Sequence, residues 1–320
     1  ISMEVFDKKK KEMTTWTPTN ANGTFSGDSM PLKAAFARSV NSVAVRLGQE
    51  MGIKRIISTA QAMGIKSPLD DTPSLALGSS DVNLLELTNA YCTVANNGMH
   101  HEPVLVTHIV DKDGNEVYSD RSQAEQVIPY KSAFLMQQLL QGGMKEPGGT
   151  SMSLWGYVGN FRDTDFGGKT GTSNNHSDAW FECVSPNLVA GAWVGGEYRS
   201  IHFRTGALGQ GSRTALPITG LFMNAVLSDP AFKKYRGRFR KPGDGDNITP
   251  DMYTCQSYYK AAKRDTTHRD STHTVSVEEV NLDEDGEPIA MPTGTENKSS
   301  DTKKKSEKKR KTEEINFDDL

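Results

Sequence analysis

Three extended segments follow one another between residues 167 and 195 with only short turns between them, and no other stretch narrows the fold as much. The first is Gly167-Gly168-Lys169-Thr170-Gly171-Thr172. Ala179-Trp180-Phe181-Glu182-Cys183-Val184 and Leu188-Val189-Ala190-Gly191-Ala192-Trp193-Val194-Gly195 are apolar strands around a Ser185-Pro186-Asn187 turn. Strands joined so closely imply an antiparallel meander. Behind it, Leu216 to Leu227 has the apolar spacing of a buried helix that packs on such a sheet.

The first of these strands differs chemically from the other two. A lysine, two hydroxyls and small residues in an extended segment fit a strand edge open to substrate, with a cation for a carboxylate. A phosphate-binding loop of the G-x-x-x-x-G-K-[ST] type is excluded, because the position five residues before Gly168 is Asp163. Taken alone, the triplet Lys169-Thr170-Gly171 is also compatible with a glycine-rich hairpin strand carrying a solvated lysine. Its surroundings have to decide.

Composition bounds the rest. A chain of 320 residues with 35% hydrophobic and 24% charged residues holds enough apolar sequence for a sizeable core, in one large domain or two ordinary ones. The net charge of -3 gives no case for nucleic acid, since the basic residues are scattered except in one run near the C-terminus, which reads as part of a solvated tail. Cys92, Cys183 and Cys255 are widely spaced and form no C-x-x-C pair for metal or redox chemistry. No run of 18 apolar residues and no signal peptide is present, so a membrane anchor would have to lie upstream of this sequence. The opening, Ile1 followed by Lys8 to Lys11, reads as a segment lifted from a longer chain.

Helical spacing begins at Met30 with Pro31, Leu32, Ala35 and Phe36, then resumes through Val43, Val45 and Leu47 to about Met51. Ser39-Val40-Asn41 interrupts it, and both flanking residues prefer caps, so a tight junction between two helices is expected there. Further helices are expected at about Ile53 to Met63, from Asp81 through Val94 to the Asn96-Asn97-Gly98 stop, and at Lys131 to Met144. Asp111-Lys112-Asp113-Gly114 marks a hairpin between Pro103 to Val110 and Asn115 to Tyr118. Three regions result: a lead-in over 1–14, a folded domain over 15–239, and a polar, charged tail over 240–320 that reads as disordered.

Ser-x-Asn between two helices, followed by Lys-Thr-Gly-Thr on a strand, are two of the three signatures of serine acyltransferases that react with β-lactams. With Trp16-x-Pro-x-Asn, Ala37-Arg38-Ser39-Val40-Asn41-Ser42-Val43-Ala44, Ser74-Leu75-Ala76-Leu77-Gly78, Asp178-Ala179-Trp180-Phe181 and Thr214-Ala215-Leu216-Pro217, they resemble the transpeptidase domain of class A penicillin-binding proteins over about residues 15 to 230. The resemblance implies an α/β (α+β) fold of the β-lactamase/transpeptidase type, an antiparallel sheet flanked by helices. It also implies a peptidoglycan D,D-transpeptidase that cross-links stem peptides by serine acyl transfer. β-Lactams would be covalent inhibitors, cell-wall assembly proteins possible partners, and no metal or organic cofactor would be needed. The location would be the extracytoplasmic face of the cytoplasmic membrane, with an anchor and a glycosyltransferase domain in the parent protein.

By the same resemblance, Lys169 with the hydroxyls of Thr170 and Thr172 holds the substrate carboxylate, and Gly171 lets the substrate backbone lie close. The Thr172 N–H supplies half of an oxyanion hole. Ser39 relays a proton to the departing amine, and Asn41 orients the catalytic lysine and the substrate amide. The third signature, Ser-x-x-Lys, which carries the nucleophile, does not occur upstream of Ser39. Its three later matches, beginning at Ser257, Ser300 and Ser306, read as chance. The expectation is a C-terminal piece of a transpeptidase that is inactive alone. The alternatives are a catalytically silent module that binds cell-wall peptide or β-lactam, and a β-lactamase, which would be expected to lack the long stretch and hairpin between the two motifs.

Overall fold

The computed structural model describes residues 2–7 and 11–258, all within the first of two units, Ile1–Val275 and Ser276–Leu320. The greater part of the expected tail, 259–320, therefore lies outside the described residues. The chain opens with a hairpin, β1 (Met3–Asp7) paired antiparallel with β2 (Glu12–Trp16), where a lead-in without structure of its own was expected. Helices α1 (Leu32–Ala37), α2 (Asn41–Met51) and α3 (Ile53–Ala62) follow, the first two divided at the expected junction. A 3-10 turn at Pro73–Leu77 leads to α4 (Leu84–Ala95). Asn83 caps α4, its side-chain oxygen accepting the Leu85 N–H at 2.8 Å.

After α4 the chain makes two small ladders. β3 (Met99–His100) pairs with β6 (Glu125–Gln126), and β4 (His108–Val110) pairs with β5 (Glu116–Ser119). The second is the expected hairpin, shorter on its first strand, with Asp111 Oδ1 accepting the N–H groups of Asp113 and Asn115 in the turn. Next come α5 (Tyr130–Lys145), a 3-10 turn at Met152–Leu154 and the short α6 (Trp155–Val158).

β7 (Gly167–Thr172), β8 (Asp178–Val184) and β9 (Val189–Gly195) form an antiparallel sheet in the order β7-β8-β9, the meander read from the sequence. Register sorts its side chains onto two faces. Phe181 and Cys183 join Leu216, Met223 and Leu227 in one apolar cluster, so this face meets α8 (Ala215–Ser228), which follows a single turn, α7 (Gly206–Gly209). The alternate residue Val184 clusters with Val94 of α4 and Leu140 of α5 on the opposite face. Helices thus flank the sheet on both sides. Burying each large apolar side chain in these clusters stabilises the fold by about 1.5–3 kcal/mol.

Two glycines make the second face possible. A Cβ at Gly167 would stand 2.8 Å from Leu140 Cβ, so only glycine lets β7 lie this close to α5. A Cβ at Gly191 would stand 2.5 Å from Glu182 Oε1, because the Glu182 carboxyl folds over that glycine. Residues 240–258, placed in the polar tail by the sequence, return to the domain. They carry a 3-10 turn at Asp244–Asp246 and the single turn α9 (Asp251–Thr254), whose Tyr253 ring meets Phe134 of α5 edge-on at 5.2 Å.

Candidate active site

The junction between α1 and α2 is a Schellman ending. Ser39 N–H donates to Phe36 O at 3.0 Å and Val40 N–H to Ala35 O at 3.0 Å, which requires the residue between them to turn left-handed. That residue is Ser39, with φ +56, a conformation that glycine usually takes. The strained turn lifts the Ser39 hydroxyl off the end of α1 and aims it at β7.

There it meets Lys169. The Lys169 ammonium donates to Ser39 Oγ at 2.9 Å and to Thr170 O at 2.8 Å, and lies 5.9 Å from the centre of the Phe36 ring. Neither hydrogen-bond partner is a carboxylate, so burial goes uncompensated and lowers Lys169 from the ordinary 10.5 to about 8. An amine in this state is a cation that lacks a counter-ion and gives up its proton readily.

The other candidates occupy definite positions. Thr170 Oγ1 donates to Thr150 Oγ1 at 2.9 Å, and Thr172 Oγ1 accepts the Gly211 N–H at 3.0 Å. Gly171 lies between them with the Trp180 Cβ directly beneath, where a Cβ would come within 3.1 Å. Asn41, first residue of α2, turns its amide to Thr19 O at 2.8 Å rather than to Lys169. His176 sits at the β7–β8 tip with φ +58, its carbonyl accepting from Phe203 N–H. Ser39 also lines a cavity of about 600 Å³, together with Asn20, Phe25, Arg38, Ser42 and Arg46 among others.

Two residues were missed in the sequence. Thr150 follows Pro147-Gly148-Gly149 and carries no motif, yet it touches Thr170 of β7, the strand expected to serve as the substrate rail. Glu182 is the one charged residue of the apolar segment 179–184, yet it is 2% exposed, accepts from Thr88 Oγ1 at 3.2 Å, and leaves its Oε2 without a partner. Burial raises its carboxyl from 4.5 to about 8, and burial, with a smaller contribution from Glu182, pushes Cys92 up to about 11. Among the described residues no group of three or more His, Cys, Asp or Glu is placed to hold a metal ion.

Comparison with known proteins decides the family. The profile described as "Penicillin binding protein transpeptidase domain" matches residues 2–180. The chain belongs to this family. As a penicillin-binding protein transpeptidase domain it is 32% identical over 254 residues to penicillin-binding protein 1B of Haemophilus influenzae, covering 76% of this chain and 29% of that protein. It is also 32% identical over 182 residues to penicillin-binding protein 2D of Bacillus subtilis, covering 57% and 26%. The crystal structure of penicillin-binding protein 1A from Haemophilus influenzae superposes with a TM-score of 0.64 at 25% identity, over 78% of this chain and 40% of that one. PonA1 from Mycobacterium tuberculosis, solved in complex with penicillin V, shares the fold with a TM-score of 0.57 at 22% identity, over 72% and 64%. The transpeptidase chain spans about a quarter of the length of the curated relatives. Among its described residues no helix is long and apolar enough to cross a membrane.

Proposed function

We propose that this transpeptidase domain serves a peptidoglycan D,D-transpeptidase of the 1A type, cross-linking stem peptides by serine acyl transfer on the extracytoplasmic face of the membrane. The observation that carries this reading is the 2.9 Å contact between Lys169 and Ser39, which joins the Ser-x-Asn turn to the Lys-Thr-Gly strand in one site. The stem peptide's terminal carboxylate binds Lys169, which takes up a full positive charge as the anion arrives, and turns toward the Thr170 and Thr172 hydroxyls. The Thr172 N–H receives part of the charge that develops on the attacked carbonyl oxygen. Ser39, held against Lys169, passes a proton to the departing D-alanine amine. Asn41 leaves Thr19 to meet the substrate amide.

The nucleophile is supplied by a Ser-x-x-Lys segment outside this sequence, so the 320-residue chain alone does not turn over. Ser257, the one of the three serines that lies among the described residues, has its N–H bonded to Asp251 Oδ1 at 2.8 Å just after α9, away from the motifs named above in sequence.

Intact-mass analysis with peptide mapping tests the reading, after a β-lactam is incubated with this chain extended through its own upstream coding sequence. The expected result is one stable adduct on an upstream Ser-x-x-Lys serine, formed about 100-fold more slowly in Lys169→Ala. Well-folded protein without an adduct would make the domain a silent binding module for cell-wall peptide. An adduct on Ser257 would overturn the motif assignment.

A further inference from the structure

The segment between α5 and the Met152–Leu154 turn touches both halves of the site. Arg38, the residue before Ser39, donates from Nε to Pro147 O at 3.0 Å. Thr150 N–H donates to Ala37 O at 3.0 Å, one residue further back on α1. On its other side the Thr150 hydroxyl accepts from Thr170 Oγ1 at 2.9 Å. The segment is itself anchored to α5, since Gly149 N–H donates to Glu146 O at 3.0 Å and Ser151 N–H to Gly143 O at 3.1 Å. One short stretch therefore holds the end of α1 by one backbone acceptor, Pro147 O, and one backbone donor, Thr150 N–H, and the rail by a hydroxyl.

We propose that Thr150 is a positioning residue for this site, tying the Ser39 turn to β7 and setting the direction of the Thr170 hydroxyl. This rests on the transpeptidase reading for what the rail binds, but the tie itself is a property of the unliganded chain. Among the described residues β7 pairs only with β8, so it is an edge strand whose other edge is held by side chains and by α5. Thr150 supplies the hydroxyl on that edge. Because a hydroxyl both donates and accepts, the pair also reverses without moving a heavy atom. Thr170 donates to Thr150 when the rail is empty, and it accepts from Thr150 when its own proton turns to a carboxylate. Valine at 150 keeps the shape and the backbone bond to Ala37 but can do neither.

Lys169 reports on the tie without any ligand. Its amine is held near 8 by burial alone, between the α1 end and β7. If those elements part, water reaches the amine and its value moves back toward that of a surface lysine. The measurement is the pH midpoint of Lys169 reductive methylation in the 320-residue chain, read by peptide mass spectrometry, with thermal melts on the same samples. Thr150→Val is expected to melt like wild type and to raise the midpoint by roughly one unit, while Thr150→Ser keeps the wild-type midpoint.

Coincident midpoints for wild type and Thr150→Val overturn the proposal. So does an equal shift in Thr150→Ser, which would make the contact one of packing rather than of the hydroxyl. A wild-type midpoint at the surface-lysine value overturns it as well, since the amine would then be open with the tie in place. Should Thr150→Val not fold, Thr170→Val removes the other half of the same pair and must produce the same rise. Failure of the D,D-transpeptidase reading would appear instead in the adduct experiment and leave these midpoints unchanged.

Discussion

Lys169 and Glu182 stand directly opposite each other on β7 and β8, yet they do not pair. Lys169 reaches to Ser39, and Glu182 leans the other way over Gly191 to Thr88. Each is buried without an opposite charge, and each is driven toward its neutral form. For Glu182 this sets a pH dependence. Its folded-state value lies above the ordinary 4.5, so the folded chain keeps a proton that the unfolded chain releases. The stability it contributes is intact below about 4.5 and is lost as pH rises through about 8. Glu182→Gln keeps the acceptor for Thr88 and has no charge to form. Urea midpoints measured across that window are expected to fall more steeply with pH for wild type than for Glu182→Gln. That Lys169 and Ser39 share one site was legible in the sequence, since both stand in motifs. Glu182 was not, because strand alternation looks the same whether the polar position faces water or a helix, and α4 covers it only in three dimensions.

At the scale of elements, hydrophobic period and turn chemistry located α1 to α5, α8 and the β7-β8-β9 meander, because in each the apolar stripe is what the packing uses. The β1–β2 hairpin was not legible. Its strands flank a run of lysines, and a charge run reads as solvated chain unless the pairing across it is known. The α1–α2 junction was visible as an interruption, but its geometry was not. Ser39 takes the left-handed position that glycine fills at most Schellman endings, at a cost of about 1 kcal/mol or more to an L-residue. Ser39→Ala and Ser39→Gly both lose the hydroxyl against Lys169, and they differ in backbone strain. Ser39→Gly is expected to be the more stable of the two by about 1 kcal/mol in chemical denaturation. Equal stabilities would mean that the turn is not strained.

At the scale of the whole molecule, the fold leaves apolar surface outside. α8 buries Leu216, Met223 and Leu227 on the sheet but exposes Ile218, Leu221 and Phe222, and the adjoining Trp155 of α6 and Met152 are exposed too. A patch of this kind promotes association in an isolated chain. Leu221→Lys places a charge in it without touching the core. Stability is expected to stay within about 0.5 kcal/mol of wild type, with less concentration-dependent self-association by light scattering. The domain's membership in its family was legible from short motifs spread over most of its length, which is why so small a share of a relative's chain suffices to recognise it.

The carboxyl of Glu182 lying over bare backbone at Gly191 has an evolutionary consequence. The two positions are epistatic, and the order of change matters. A Cβ at 191 would also stand 2.3 Å from Thr88 Oγ1, so trimming 182 alone does not open room there, and a lineage that adds bulk at 191 must first have displaced both the acid and the Thr88 hydroxyl that it accepts from. Chains that keep this acid and its threonine partner are therefore expected to keep glycine at 191, and side chains at 191 are expected only where both 88 and 182 have changed.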